Sequence, residues 1–175
     1  MWFQAKSRFL ALLMGWFKVD PRSGLGKTLF EALSELTPIV NIELIVSDTK
    51  ARVALVYRDD EFYGPGWHLP GGVLRFKENL VERVHRTASK EVGCKNLTDL
   101  VFLNHFEVFA ANRDTRGHFI SFLFSAVDVK LVELENFESN KNYKHGDAAM
   151  FSNFPKNIIP QHSKYRKYLE NIFKS

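Results

Sequence analysis

The segment from Gly72 to Gly93 contains residues whose types and spacing could support chemistry on a phosphate compound. Glu78, Arg86 and Glu91 lie between these two glycines at intervals that suit a loop followed by a helix. Carboxylates one helical turn apart point to one side of a helix, where their oxygens can gather Mg²⁺ ions that neutralise a diphosphate. Glu91, on the expected helix, is therefore a candidate ligand for such a metal ion.

Each of these residues also has an ordinary structural interpretation. Glu78 and Arg86 could pair with each other at two turns' distance and tie the loop to the helix. Glu91 alone would be a typical solvent-exposed charge. The spacing of the whole set favours the functional interpretation.

The spacing is that of the Nudix box, written as Gly, five residues, Glu, seven residues, Arg-Glu, an aliphatic residue, any residue, Glu-Glu, any residue, Gly and an aliphatic residue. The positions that match are Gly72, Glu78, Arg86, Ala88, Glu91, Gly93 and Cys94. Thr87 and Lys90 stand where two glutamates are expected. Because the site lacks the negative charge that two or three Mg²⁺ ions require, we expect one ion at most.

Among Nudix proteins, the chain resembles the GDP-mannose mannosyl hydrolase branch, whose box also lacks glutamate at those two positions. The resemblance runs from the Thr37-Pro38 pair and the strand after it to the tail Ser163-Lys-Tyr-Arg-Lys-Tyr168, and it covers residues 25 to 170. It implies an α/β fold of the Nudix type, an α/β/α sandwich with a mixed β-sheet between helices. It also implies that a nucleoside diphosphate sugar, of the GDP-mannose or GDP-glucose type, is hydrolysed at the anomeric carbon with inversion, releasing free sugar and nucleoside diphosphate.

Chemistry at carbon agrees with the depleted box. Attack at phosphorus must stabilise a charged phosphoryl transition state, for which several metal ions are suited. Attack at the anomeric carbon needs an oxocarbenium-like centre, a base for the water, and a cation on a diphosphate that already leaves readily. One Mg²⁺ ion and an arginine suffice for that reaction.

The resemblance implies catalytic roles for several residues. His145 matches the general base that activates water, and an imidazole suits that role. Arg58 matches the arginine that assists the leaving diphosphate, and Arg86 matches a further functional arginine of the branch. Glu91 and the backbone carbonyl of Gly71 match the ligands of the Mg²⁺ ion.

Other positions depart from the branch. Glu43 stands where the family has an aspartate near the sugar, and His118 is retained. Lys144 replaces a glutamine that supplies a further metal ligand, and an ammonium cannot bind a cation, although it could contact the diphosphate. Phe119 replaces a tyrosine that helps at the leaving group, and Val73 replaces a phosphate-binding arginine. We therefore expect substrate binding by Glu43, His118 and Lys144 beside a weakened metal site.

Two other functions stay open on the sequence. One is a conventional Nudix diphosphatase that cleaves a phosphorus–oxygen bond, which the missing glutamates disfavour. The other is a catalytically weak nucleotide-sugar-binding module that has kept the fold and lost the metal. Lys90 and Lys144 favour the binding module.

Helices and strands must position these residues, and the apolar spacing predicts where they lie. Helices are predicted over residues 25–36, 79–92 and 163–173, with Gly93 as the stop of the second. Strands are predicted over residues 39–46, 52–58, 100–109 and 118–129, the first two as a hairpin. This order predicts a mixed sheet covered by helices.

Length and composition indicate one domain of this kind. The chain has 175 residues, of which 45% are apolar and 25% charged, enough to bury a core. The net charge of +4 comes from cations interleaved with acids, without the run that a nucleic-acid tail would show. The single cysteine, Cys94, excludes an internal disulfide and favours a cytoplasmic location. We assign residues 25–175 to the Nudix domain and residues 1–24 to an N-terminal extension.

The extension contains an apolar run over residues 9–17, behind Lys6 and Arg8. The run is too short to span a bilayer, and no small-residue cleavage site follows it, so we expect neither integral membrane insertion nor secretion. We expect it to pack on the domain or on the partner in a homodimer. A helix on a membrane surface, or a true start at Met14, would also account for it.

Overall fold

In a computed structural model of the protein, the residues described are 20–110, 113–128 and 131–174. The helices are α1 (Lys27–Ser34), α2 (Leu80–Val92) and α3 (Arg166–Phe173). The strands are β1 (Ile39–Ser47), β2 (Val53–Arg58), β3 (Gly66–His68), β4 (Gly71–Val73), β5 (Thr98–Phe109), β6 (His118–Val127) and β7 (Ala148–Phe151). Two 3₁₀ segments, Leu131–Glu133 and Pro160–Tyr165, connect them. The apolar run of the N-terminal extension lies outside the described residues.

The strands form one mixed sheet of seven strands, in the order β3-β2-β1-β6-β5. β1 lies in the middle and pairs in parallel with β6 and antiparallel with β2. β4 pairs with the first part of β1, and β7 pairs with β2. The mixed sheet that the sequence predicts is confirmed.

The central strand β1 is buried from both faces. Ile42, Leu44 and Val46 pack with Val84 and Ala88 of α2 on one face. On the other face, Ile45 packs with Tyr165 and Leu169 of the C-terminal segment. The sheet therefore lies between helices, as the sandwich prediction requires, and the alternation along β1 turns Glu43 toward the C-terminal side.

The helix that carries the Nudix box has strong signals at both ends. The side chain of Asn79 accepts a hydrogen bond from the N–H of Glu82, whose own side chain bonds back to the N–H of Asn79. Gly93 has a φ of 73°, a left-handed conformation that ends the helix. These caps fix the start and stop of α2 close to the predicted residues.

The structure adds elements that the sequence patterns did not indicate. β7 has four residues and pairs with β2, which is distant in the sequence, and Met150 of β7 also forms a bridge with Asn136. The predicted C-terminal helix is divided into the 3₁₀ segment Pro160–Tyr165 and α3. Among the described residues, none of the helices has the length and apolarity needed to cross a membrane.

Candidate active site

A cavity of about 490 Å³ opens beside β1 and β4. Five of the residues predicted to act in catalysis, substrate binding or metal binding line it: Glu43, Arg58, Gly71, Glu91 and His145. They come from β1, β2, β4, the end of α2 and the turn before β7, so segments that are distant in the sequence meet here.

Glu43 and Gly71 are direct neighbours because they face each other in the register of β1 and β4. A β-carbon on Gly71 would lie 2.7 Å from Oε2 of Glu43, so a residue with a side chain would displace the carboxylate. The N–H of Gly71 donates to Oε2 of Glu91 at 3.1 Å. Gly71 therefore joins the two carboxylates of the site.

Both carboxylates are poorly solvated. Burial, followed by the charge of Glu91, raises the pKa of Glu43 to about 8. Burial also raises the pKa of Glu91, against the opposing effects of the Gly71 N–H and Lys90. The site thus holds negative charge at a cost that a bound cation or hydrogen-bond donor would reduce.

Arg58 is oriented by the loop that follows β2. Its Nε donates to Oδ2 of Asp60 at 2.6 Å, and its guanidinium lies 4.5 Å from the centre of the Tyr63 ring. Asp60 is fixed in turn by the N–H groups of Phe62 and Tyr63. The arginine is therefore held in place at the edge of the cavity, as a residue that binds an anionic group requires.

Backbone hydrogen bonds hold the turn that carries His145 beside the end of β2, where Arg58 lies. The N–H of Tyr57 donates to the carbonyl of Asp147 at 2.7 Å, and the N–H of Gly146 donates to the carbonyl of Tyr57 at 2.9 Å. In this turn, Nδ1 of His145 accepts a hydrogen bond from the N–H of Asp59 at 3.2 Å. A neutral ring so bonded carries its hydrogen on Nε2, so action as a base requires that the bond to Asp59 be released.

The 3₁₀ segment Pro160–Tyr165 forms a wall of the cavity that the sequence did not assign to the site. His162 is buried, and its Nδ1 accepts a hydrogen bond from the N–H of Leu69 at 3.0 Å. Its Nε2 faces Glu43, 3.7 Å from Oε2. His162 lies just before the predicted C-terminal helix and belongs to no motif, so only its proximity in space reveals it.

Further cations surround the cavity. Lys90, Arg116 and Lys164 line it in addition to Arg58. Burial lowers the pKa of Lys164, and burial together with the charge of Arg58 lowers the pKa of Arg116. An anionic ligand would reduce the desolvation cost of these partly buried positive charges.

The box residues on the loop side of α2 serve the structure. Glu78 accepts two hydrogen bonds from Arg83, at 2.6 and 2.8 Å, and one from the N–H of Arg75 at 2.9 Å. Arg86 Nε lies 3.3 Å from Oε1 of Glu78, so the predicted pair is confirmed. However, Arg83 is the closer and more buried partner of Glu78, and the box pattern did not predict this contact.

The structure does not bring every predicted residue to the cavity. Arg86 lies in an adjoining open groove of about 820 Å³ that shares Gly71, Lys90 and Glu91 with the cavity. Lys144 is exposed, and its N–H bonds to Asp147. His118 stacks on Phe109, with Nε2 3.3 Å from Oε1 of Glu107, and is not among the described residues that line the cavity, although its neighbour Phe119 is. Substrate contacts by these residues stay predictions.

The two departures from the branch that concern substrate binding do lie at the cavity. Val73 and Phe119 both line it. The positive charge that an arginine would supply at Val73 is present on other walls, in Arg116 and Lys164.

The side chain of Thr87 is buried and packs against Gly72. It is 3% exposed, and a β-carbon on Gly72 would lie 2.6 Å from its hydroxyl. The absence of a side chain on Gly72 therefore leaves room for Thr87, which adds no charge to the site.

Comparisons with known proteins agree with this architecture. The family model of the NUDIX domain matches residues 37–160. The chain belongs to the Nudix family. This Nudix chain is 24% identical over 145 residues to the low-salt glycan biosynthesis protein Agl8 of Haloferax volcanii, a match that covers 81% of the chain and 88% of the relative.

Solved Nudix structures show the same fold. A MutT NUDIX hydrolase from Burkholderia pseudomallei aligns with a TM-score of 0.54 at 21% identity, over 77% of this chain and 97% of that one. The dihydroneopterin triphosphate pyrophosphohydrolase of E. coli aligns with a TM-score of 0.53 at 16% identity, over 78% of this chain and 96% of that one. At these identities the likeness concerns the fold.

Nudix hydrolases generally use divalent metal ions, and the cavity offers a limited set of donors for one. Among the described residues, no three His, Cys, Asp or Glu side chains cluster into a site that would hold a metal ion with protein ligands alone. Mg²⁺ commonly binds through one or two carboxylates, with water and substrate phosphates completing its shell. Glu91 and the Gly71 carbonyl fit a single ion of this kind, whereas the donors do not fit several ions.

Proposed function

We propose that this Nudix hydrolase acts on a nucleoside diphosphate sugar of the GDP-mannose or GDP-glucose type. Water attacks the anomeric carbon with inversion, and free sugar and nucleoside diphosphate are released. The observation that carries the proposal is the charge of the cavity: its walls hold four cations, Arg58, Lys90, Arg116 and Lys164, beside a donor set that suits one metal ion.

This charge distribution suits a leaving diphosphate better than an attacked phosphorus. Attack at phosphorus places developing charge on the transferred group, which two or more metal ions stabilise between entering and leaving oxygens. Attack at carbon requires charge neutralisation mainly on the diphosphate that departs, and guanidinium and ammonium groups provide it. A Mg²⁺ ion held by Glu91 and the Gly71 carbonyl would add to that neutralisation.

Within this proposal, Arg58 binds the diphosphate, because Asp60 and Tyr63 hold its guanidinium at the rim. His145 acts as the general base once its ring is released from the N–H of Asp59. Glu43 faces the sugar from the opposite wall. The relative Agl8 is named for glycan biosynthesis, and a substrate that carries a sugar is consistent with that name.

Hydrolysis in ¹⁸O-labelled water tests the bond that breaks. The purified protein is incubated with Mg²⁺ and a panel of sugar nucleotides, and the products are identified by mass spectrometry. We expect free sugar that carries the label, together with unlabelled nucleoside diphosphate. Sugar phosphate plus nucleoside monophosphate would falsify the proposal and indicate a conventional diphosphatase, and tight binding without turnover would indicate a binding module.

Two variants identify the base. We expect His145→Gln to lower kcat by roughly 10²- to 10⁴-fold with little change in the melting temperature, since the side chain is exposed and its hydrogen bond from the N–H of Asp59 is long. Glu43→Gln tests the other candidate, and His105→Gln, on the exposed side of β5, is the matched control. A loss of kcat in Glu43→Gln with normal turnover in His145→Gln would assign the base to Glu43.

We further propose a cytoplasmic location and a homodimer. The lone buried Cys94 suits a reducing compartment. Gel filtration of the full chain against a chain that begins at Gly24 tests whether the N-terminal extension forms the dimer contact. An unchanged elution state would assign the extension another role.

A further inference from the structure

Two buried polar side chains face each other inside the cavity without forming a hydrogen bond. Glu43, from β1, is 7% exposed, and His162, from the segment Pro160–Tyr165, is 8% exposed. Nε2 of His162 and Oε2 of Glu43 are 3.7 Å apart, beyond hydrogen-bond distance. Both groups line the cavity, so a ligand bound there can reach them.

The carboxylate of Glu43 is held from one side only. Its Oε1 accepts a hydrogen bond from Nδ2 of Asn41 at 2.9 Å, and Oδ1 of Asn41 accepts one from the hydroxyl of Ser121 at 2.7 Å. Oε2 has no hydrogen-bond partner among the described residues, although it is buried. An unpaired buried acceptor of this kind is costly unless a ligand supplies the donor.

The ring of His162 has a defined tautomer. Because its Nδ1 accepts the Leu69 N–H at 3.0 Å, the hydrogen of the neutral ring is on Nε2. This N–H is the group that faces Glu43. The cavity thus presents a donor and an acceptor side by side, each fixed by a second contact to the protein.

We propose that Glu43 and His162 together bind one hydroxyl group of the substrate's sugar. An oxygen placed about 2.8 Å from each atom spans the gap between them, accepting from Nε2 and donating to Oε2. A hydroxyl fits both states of Glu43, since it can donate to the ionised carboxylate or accept from the protonated one, whereas a phosphate oxygen has no hydrogen to donate and fits only the protonated one. The inference rests on the proposed function in taking the substrate to be a nucleotide sugar, and it names His162 as a residue that determines sugar specificity.

The test measures the binding of GDP-mannose and its monodeoxy analogues, each lacking one sugar hydroxyl, to the full chain by calorimetry with Ca²⁺ replacing Mg²⁺. We expect one analogue to bind roughly 10- to 100-fold more weakly than GDP-mannose, because the absence of that sugar hydroxyl leaves two buried groups unpaired. In His162→Asn, which can still accept the Leu69 N–H, that discrimination is lost. In His162→Gln, whose amide can place an N–H near the position of Nε2, part of it returns.

His105→Asn, on the exposed side of β5, is the matched control and keeps the discrimination. Binding of every analogue within about twofold of GDP-mannose overturns the inference, even if labelled water shows attack at carbon. The absence of binding by all these sugar nucleotides also overturns it. Discrimination of one analogue combined with attack at phosphorus upholds the hydroxyl site and overturns the proposed reaction.

Discussion

Lys90 is the residue that most changes the charge of the Nudix box. It is exposed at the end of α2, it lines both the cavity and the adjoining groove, and it stands next to the partly buried Glu91. Its ammonium lowers the pKa of Glu91 but also repels any cation that approaches it. Thr87, in contrast, is buried and contributes no charge.

Lys90→Glu should therefore strengthen metal binding. The change replaces a repelling charge with an attracting one beside Glu91, and we expect the affinity for Mn²⁺, measured by electron paramagnetic resonance, to rise about tenfold. Lys95→Glu, on the wall of the same groove but absent from the cavity, should change it much less. Equal affinities in Lys90→Glu and the wild type would mean that Lys90 does not limit the metal site.

At the scale of elements, the hairpin of β1 and β2 supports the site because it carries Glu43 on one strand and Arg58 on the other. Asp48 holds its turn: its side chain accepts hydrogen bonds from the N–H groups of Lys50 and Arg52, each at 2.9 Å. Nε of Arg52 adds a third, at 2.8 Å. The ion pair between Asp48 and Arg52 therefore closes the hairpin next to the pairing of Ser47 with Val53.

Asp48 should make stability depend on pH. Burial opposes ionisation, but the hydrogen bonds from Arg52 and Lys50 keep the pKa of Asp48 below its ordinary value of 3.8. Because the folded pKa is the lower one, the stabilisation is complete above the unfolded pKa and is lost as the pH falls through the folded value. We expect Asp48→Asn to lower the free energy of unfolding by about 2 kcal/mol at pH 7.

Urea unfolding at several pH values checks this expectation. The difference between Asp48→Asn and the wild type should shrink below about pH 4, where the wild-type carboxylate takes up a proton. Glu138→Gln, in an exposed loop, serves as the control. A difference that stays constant down to the acid limit would assign the effect to packing.

The elements predicted from the sequence are those with a strong local pattern. The spacing of α2 and its caps at Asn79 and Gly93, and the apolar run of β1, depend on neighbours in the sequence. β7 and the 3₁₀ segment Pro160–Tyr165 depend on distant partners, β2 and the N–H of Leu69. Contacts between segments that are distant in the chain leave no pattern in the local sequence.

The same distinction applies to the site. Glu91 follows from the spacing of the box, and Gly71, Arg58, Glu43 and His145 follow from the resemblance. His162, Lys164 and Arg116 reach the cavity through tertiary contacts and belong to no motif, so the sequence could not assign them.

At the scale of the whole molecule, the modest net charge of +4 conceals a local excess of cations. Among the described residues, four cations line the cavity: Arg58, Lys90, Arg116 and Lys164. Three carboxylates oppose them there, and of these Asp60 is already paired with Arg58. The parallel pairing of β1 with β6 places Arg116, just before β6, on the same side as these groups. The fold thus concentrates positive potential where a nucleotide diphosphate would bind.

Binding of a nucleoside diphosphate should accordingly weaken with salt. The Debye length falls from about 10 Å at 0.1 M to about 3 Å at 1 M ionic strength, so the attraction that draws GDP to the cavity is screened. We expect the Kd of GDP, measured by calorimetry, to rise roughly tenfold over this range, and Lys164→Gln to reduce the dependence. Arg166→Gln, which removes a cation of the same C-terminal region outside the cavity, should leave it unchanged because Arg166 is paired with Glu170. A Kd that is insensitive to salt in the wild type would mean that GDP binds through its base and ribose, and that the cations of the cavity act later, on the diphosphate as it leaves.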